Sequence, residues 1–173
     1  MANVVRMRTA RGVAAVAAAV LAVALSACMP TPAPTPTPTG FASEEEAFAA
    51  AEATYRAYVD ALNEARTGGD ADPYDFLTGQ ALEAEIASER EFEAAGIRLE
   101  GPLVIVSVRP LSAAATHALI QICLDVSGTR VLDVDDLDVT PAERDGVLGL
   151  DIETRWTPRT TLVSSTTTSN EPC

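Results

Sequence analysis

The sequence predicts an α+β domain in which two N-terminal helices pack on a curved, cone-like antiparallel meander of about four or five strands. Two observations carry this prediction. Between Ser43 and Gly96 the apolar residues recur at spacings of three and four, as in helices, and after Gly96 they alternate with a period of two, as in strands. The strand segments follow one another through short turns, so neighbouring strands are expected to be antiparallel and to have one face covered by the helices.

The first helix is predicted to begin after Ser43 and to run to about Arg66. Ser43 followed by Glu44-Glu45-Glu46 is typical of a capping box, in which the serine hydroxyl accepts from the Glu46 amide and the Glu46 side chain reaches back. An apolar stripe follows at helical spacing, and Gly68-Gly69 ends it. The stripe consists of Phe48, Ala51, Tyr55, Tyr58, Val59 and Leu62.

A second helix is predicted from about Gly79 to Ala95, with Gly96 at its end. Its apolar face is poor: Leu82 and Ile86 align, but Glu85 and Glu89 interrupt the stripe. One interpretation is a peripheral, partly exposed helix. The other is that Glu89 points into a cavity as an acid or base.

Five segments after Gly96 are predicted to be strands. Val104, Val106 and Val108 alternate against Ile105, Ser107 and Arg109 in the first. In the second, Ala118, Ile120, Ile122, Leu124 and Val126 alternate against Leu119, Gln121, Cys123 and Asp125. The others are Arg130 to Val134, Leu148 to Trp156, and a last strand near Thr160 to Thr167.

In size and element order, the segment from Ser43 to Thr167 resembles the nuclear transport factor 2-like superfamily, in which a bent sheet wraps a helical layer around a central cavity. A third helix, usual between strands in that superfamily, is not evident here, so a cystatin-like sheet-on-helix topology competes with it. The resemblance implies a cavity. Some members are enzymes, such as steroid isomerases and polyketide cyclases, but no catalytic motif of theirs matches residues of this sequence.

The start of the chain has the features of an export signal. Arg6, Arg8 and Arg11 form a positive head, and the uncharged, apolar run from Gly12 to Ala27 is shorter than the roughly 20 residues that a membrane-spanning helix requires. Leu25-Ser26-Ala27-Cys28 then resembles the lipobox of bacterial lipoproteins. That resemblance implies cleavage before Cys28, a lipid on the Cys28 sulfur, and a protein held on the extracytoplasmic face of the cell membrane. A secretory signal with a chance cysteine is the alternative.

A Pro/Thr repeat from Met29 to Thr39 follows. Its prolines favour a polyproline II spacer, which at about 3.1 Å per residue extends roughly 30 Å. The predicted organisation is therefore a signal peptide over residues 1–27, a lipidated Cys28 with its linker over 28–42, and a single α+β domain over 43–173.

The composition is acidic, with 25 Asp and Glu against 12 basic residues and a net charge of −13. All 12 basic residues are arginine, and the abundance of alanine favours a high-GC, Gram-positive source. Nucleic acid is disfavoured as a partner by this charge. Lipidation of Cys28 would leave Cys123 and Cys173, which we expect to form a disulfide in an oxidising compartment; free thiols or a bridge between chains are the alternatives.

No catalytic residue, metal site or cofactor is predicted. His117 is the sole histidine, so neither a multi-histidine metal site nor a triad with common partners can be assembled from it. Asp133 to Asp138 has alternating carboxylates but no glycine at the sixth position of a calcium loop, which favours an acidic turn or edge strand. Weak calcium binding there, or at Asp70, Asp72 and Asp75, is the other interpretation.

The leading functional hypothesis is a non-enzymatic envelope lipoprotein whose domain binds an envelope protein or a small apolar ligand. The alternative is a cavity enzyme of the steroid isomerase or polyketide cyclase type, with Glu89, His117 or a buried aspartate as its base. A structural spacer without a ligand is a third possibility.

The lipid anchor generates the first testable prediction. Cys28→Ala is expected to abolish labelling by palmitate and to leave the precursor uncut, because the thiol that accepts the lipid is lost. Metabolic labelling followed by electrophoresis measures both. Ser26→Ala, which keeps a small residue beside the cleavage site, is the matched control. Labelled lipid on the Cys28→Ala protein would contradict the lipobox assignment.

Overall fold

The computed structural model describes residues 38–173, and Pro38–Cys173 forms one compact unit. The predicted signal peptide, Cys28 and the Pro/Thr segment up to residue 37 lie outside the described residues. The unit contains helices α1 (Glu44–Arg66) and α2 (Gly79–Ala95), with a 3₁₀ turn (Pro73–Phe76) between them. Its strands are β1 (Arg98–Glu100), β2 (Val104–Ala114), β3 (His117–Asp125), β4 (Arg130–Leu132), β5 (Val147–Trp156) and β6 (Thr161–Thr168). No helix between residues 38 and 173 is both long and apolar enough to cross a membrane.

Four strands form one antiparallel sheet in the order β2-β3-β5-β6, and both helices pack against it. The predicted α+β class, with two helices on an antiparallel meander, is confirmed. One strand lies elsewhere: the segment predicted over Arg130 to Val134 ends at Leu132 and pairs with β1 in a separate two-stranded sheet. β1 has three residues, too few for an alternating pattern to be visible in the sequence.

Helix α1 begins at the predicted cap. Ser43 Oγ accepts from the Glu46 amide at 3.1 Å, and Glu46 Oε2 accepts from the Ala42 amide at 2.7 Å. The Glu46 side chain therefore accepts from the amide one residue before Ser43, and it still reaches back over the start of the helix as in a capping box. Ala51, Tyr55 and Val59 of the stripe are buried against the sheet, as the periodicity predicts.

Strand β3 is the centre of the core. Its inward residues Ala118, Ile120 and Ile122 have no exposed surface, so the predicted alternation along this strand is confirmed. On β5 the facing residue Ile152 pairs with Ile120 and is equally buried. Burial of apolar surface stabilises a fold by about 25 cal/mol per Å², so this fully buried layer contributes to the stability of the unit.

Strand β2 is bent by two bulges. The register with β3 shifts between Ile105 and Ser107 and again between Pro110 and Ser112, so Val106 and Leu111 are extra residues without partners. The first bulge breaks the alternation: Val104 and Val106 are 51% and 61% exposed, whereas Ile105 and Val108 pack on the core. The prediction that Val104, Val106 and Val108 share one face is therefore wrong.

Strand β6, at the other edge of the sheet, is also irregular. Its register with β5 shifts opposite Glu153 and Thr154, where Ser164 is the extra residue. Leu77 forms a parallel bridge with Val163, and the Thr78 amide donates to the Val163 carbonyl at 2.8 Å. The segment before α2 therefore covers part of this edge.

The folded unit begins before the predicted boundary at residue 43. The Phe41 amide donates to the Ala115 carbonyl at 2.7 Å, in the turn between β2 and β3, and the Phe41 side chain packs on the core. The predicted linker of residues 28–42 therefore gives its last residues to the domain.

The C-terminal segment covers part of the outer face of the sheet, around Gln121 and Cys123. Cys123 and Cys173 form the predicted disulfide, with their Cα atoms 5.6 Å apart. Gln121 Nε2 donates to Ser169 Oγ at 2.9 Å and to the Glu171 carbonyl at 3.0 Å. Gly149 lies opposite Cys123 on β5, and a Cβ there would lie 3.5 Å from Cys173 Sγ, so the bridge packs closely over this position.

Loss of the disulfide is expected to destabilise the unit. The bridge joins residues 50 positions apart, and the chain-entropy model gives roughly 4 kcal/mol as an upper figure for a loop of that size. Urea unfolding of Cys173→Ala measures the loss, and Glu171→Ala, which removes an exposed side chain from the same segment, is the control. Equal unfolding free energies for Cys173→Ala and the unchanged oxidised protein would contradict the prediction.

Candidate functional site: a cavity between the two helices

His117 lies at the first position of β3 and is exposed. It pairs across the sheet with Ala114 on β2 and Arg155 on β5. Neither neighbour supplies a nucleophile or a carboxylate. The histidine is a surface residue of the sheet and stands apart from the cavity described below.

The acidic segment Asp133 to Asp138 is a turn. Asp133 Oδ1 accepts from the amides of Asp135 and Leu137 at 2.9 and 3.0 Å, and Asp136 has a positive φ of 63°. Asp136 also pairs with Arg98 at 2.5 Å. These carboxylates thus hold the turn and join it to β1. Within residues 38–173 no three His, Cys, Asp or Glu side chains are grouped as metal ligands would be.

Of the three earlier acidic residues, Asp72 has a local structural role. Its side chain caps the 3₁₀ turn by accepting from the Tyr74 amide at 2.9 Å. Asp75 lies within that turn and is exposed.

A cavity of about 370 Å³ lies between α1, α2 and one end of the sheet. This volume falls in the range of roughly 300–1,000 Å³ that is typical of small-molecule sites. A smaller pocket of about 250 Å³ shares part of its wall and extends towards Pro73 and Glu89. The residues common to both are Leu62, Arg66, Glu85, Ser88, Phe92 and Leu99.

The cavity exists because α2 presents small side chains to α1. Ala81, Ala84 and Ser88 recur at spacings of three and four along the lining, where a packed helix would carry larger residues. The residues of α2 that line the cavity therefore differ from Leu82 and Ile86, the apolar pair seen in the sequence. Phe92 closes the wall near the end of α2.

A second depression, of about 460 Å³, lies near the start of α2. Its wall is polar, with Gln80, Glu153 and Arg155 among the lining residues. It offers no apolar side chain for a hydrophobic ligand to contact, so the cavity between the helices is the better candidate site.

Tyr58 and Glu85 join the two helices across the cavity. Tyr58 Oη donates to Glu85 Oε2 at 3.0 Å, and the Tyr55 ring lies 5.7 Å from the Tyr58 ring at a tilt of 54°. Burial and then the Glu85 charge raise the pKa of both phenols, and the hydrogen bond to Glu85 adds to this effect at Tyr58. Both tyrosines are therefore neutral hydrogen-bond donors at physiological pH.

Arg66 supplies positive charge at the same site. Its Nη1 donates to the Gly101 carbonyl at 3.2 Å, and the side chain is half-buried. Burial lowers the pKa of the guanidinium, and the nearby Glu85 carboxylate opposes that shift. Arginine remains charged in spite of this effect, since its reference pKa is so high.

Glu89 does not line the main cavity, so the second of the two interpretations of this helix is wrong for that residue. Its side chain is exposed and accepts a short hydrogen bond from Tyr74 Oη at the wall of the smaller pocket. Burial and this hydrogen bond raise the pKa of Tyr74 to about 12. The carboxylate that lines the main cavity is Glu85, one helical turn earlier.

Tyr58, Glu85 and Arg66 are the charged or hydrogen-bonded side chains described in the cavity wall, and the sequence marked none of them as a site. The periodicity assigns Tyr58 to the apolar stripe of the first helix, and Glu85 interrupts the apolar face of the second. The signal that could have found them is the interruption itself, because a carboxylate on the inward face of a helix requires a polar partner.

Comparisons with known proteins add little. No family model matches the chain, and no curated protein matches it. Among solved structures, the intermembrane space region of the chloroplast protein ARC6 is similar, with 17% identity and a TM-score of 0.48 over 68% of this chain and 92% of that one.

The buried phenols predict a loss of stability at alkaline pH. Their folded-state pKa values lie above the unfolded value of about 10, so their contribution is complete below that pH and is lost as the pH rises towards the folded values. Urea unfolding across this range, with tyrosinate absorbance recorded in parallel, measures the effect. Tyr58→Phe is expected to lose less stability than the unchanged protein between about pH 9 and pH 11. Ionisation of all three tyrosines near pH 10 in the native state would contradict the assignment.

Proposed function

We propose that this chain is an exported bacterial lipoprotein, anchored on the extracytoplasmic face of the cell membrane by lipid on Cys28. The supporting observation is the segment Leu25-Ser26-Ala27-Cys28, preceded by a basic head and an apolar run. The Cys123–Cys173 disulfide agrees with an oxidising compartment outside the cytoplasm. Two acyl chains, at about 0.8 kcal/mol for each buried CH₂, would anchor the protein stably.

For the domain we propose a non-enzymatic binding role, with a small, largely apolar ligand in the cavity between the helices. The observation that carries this proposal is the cavity itself, an opening of about 370 Å³ whose wall combines leucine and phenylalanine side chains with the polar groups of Tyr58, Arg66 and Glu85. We also propose that the domain has a nuclear transport factor 2-like scaffold, because a bent sheet and a helical layer around a cavity are typical of that superfamily.

A cavity enzyme is the alternative, and its best carboxylate is now Glu85. The two bases named from the sequence, Glu89 and His117, are both exposed. Glu85 already accepts a hydrogen bond from Tyr58, and this interaction fixes the position of the carboxylate. A fixed, partnered carboxylate serves binding without any reaction, and we therefore favour the binding role.

Filling the cavity is expected to abolish ligand uptake. The protein for this test is the chain from residue 28 onward with Cys28→Ser, so that no lipid is attached, and the probe is the apolar fluorophore N-phenylnaphthylamine. Ala84 lies at the mouth of the cavity, and Ala84→Trp places an indole there. We expect at least about a tenfold loss of probe affinity, equivalent to about 1.4 kcal/mol.

Ala87→Trp is the matched control, because Ala87 is exposed on the same helix and is not part of the cavity wall. Thermal unfolding of both variants checks that the fold is kept. If both variants bind the probe as well as the unchanged protein does, the cavity is not the binding site.

A further inference from the structure

The wall of the cavity carries two opposite charges that do not neutralise each other by direct contact. Arg66 comes from the end of α1 and Glu85 from the middle of α2, and both line the main cavity and the smaller pocket. Four side-chain ion pairs are formed among the described residues, and none of them joins Arg66 to Glu85. The two groups therefore face the same space as separate charges.

Each of these groups has hydrogen-bonding capacity left over. Among the described contacts, Arg66 uses Nη1 alone, towards the Gly101 carbonyl, out of the five N–H donors of a guanidinium. Glu85 uses Oε2, which accepts from Tyr58, and its Oε1 has no hydrogen bond among residues 38–173. One wall of the cavity thus offers donors, and the facing wall offers an acceptor.

The rest of the wall is mainly apolar. Leu62, Phe92, Leu99, Leu103, Leu124 and Leu150 surround the space beside the two charges. A ligand that fills this volume needs a hydrocarbon body, since a polar body would leave its hydrogen bonds unmade. The charged pair can then meet only one end of such a molecule.

The signs of the two charges decide which head group of the ligand fits beside them. A carboxylate head would be attracted by Arg66 and repelled by Glu85, and an ammonium head would meet the reverse. A neutral head that both accepts and donates, such as a primary amide, can accept from Arg66 and donate to Glu85 without a like-charge contact. In a cavity that is partly shielded from water, this difference is larger than it would be on an open surface.

We propose that the cavity is specific for amphipathic molecules with a hydrocarbon body and a neutral head that carries both a hydrogen-bond donor and an acceptor. Arg66 and Glu85 are the residues that determine this specificity. The inference rests on the proposed binding function and adds the ligand class to it.

The test uses three unbranched ligands of ten carbon atoms each, with different heads: decanamide, decanoate and decylammonium. Each displaces N-phenylnaphthylamine from the Cys28→Ser chain described above, at neutral pH and constant ionic strength. We expect decanamide to bind about tenfold more tightly than either charged ligand. This arm needs no cavity variant, so it does not depend on the folding of one.

Glu85→Gln then tests the cause of the preference. Glutamine keeps an oxygen to accept from Tyr58 but removes the negative charge, so decanoate is expected to gain about tenfold relative to decanamide. Glu83→Gln, an exposed glutamate on the same helix outside the cavity wall, is the matched control and should leave the order unchanged.

Three results would overturn the inference. The first is that decanoate or decylammonium binds most tightly to the unchanged protein. The second is that Glu85→Gln leaves the order of affinities unchanged. In both cases the cavity still binds a ligand, and the proposed function stands. If neither the probe nor any of the three ligands binds, the proposed function fails together with the ligand class.

Discussion

The burial of strand β3 on both faces is the constraint on which the rest of the unit depends. Ile120 and Ile122 are fully buried on the inner face against the helical layer, while Gln121 and Cys123 are covered on the outer face by the C-terminal segment. A shift of β3 by one residue would turn Gln121 into the core and both isoleucines towards the tail. Since β2 and β5 pair with β3 along its length, they take their register from it.

The cavity results from the different sizes of the side chains that the two helices place against the sheet. Helix α1 contributes the rings of Tyr55 and Tyr58, whereas α2 contributes mainly alanine and serine. Such an opening loses packing energy. It is tolerated because its polar groups are already partly satisfied: Tyr58 pairs with Glu85 across the gap, and Arg66 donates to the backbone of Gly101. The same incomplete satisfaction leaves hydrogen-bonding atoms facing the space.

Local signals in the sequence were sufficient for both helices, because a cap and a period lie within one segment: Ser43 begins α1, and Gly96 ends α2 with a φ of 65°. The outward position of Cys123 could also be predicted from alternation. The faces of β2 could not, since a bulge depends on the partner strand. The meeting of Tyr58 and Glu85, 27 residues apart, depends on how two helices lie against each other, which no local pattern contains.

The irregular edges of the sheet affect whether copies of this chain associate edge to edge at high local concentration. An unpaired strand is a template for another copy, and bulges, prolines and covering segments are the usual means of blocking it. β2 has Pro110 between two bulges, and β6 has its own bulge, with Leu77 bridged to Val163. Strand addition is therefore disfavoured at both sides. A protein crowded onto a membrane surface, as proposed here, would be protected from aggregating edge to edge even where its local concentration is far above that in solution.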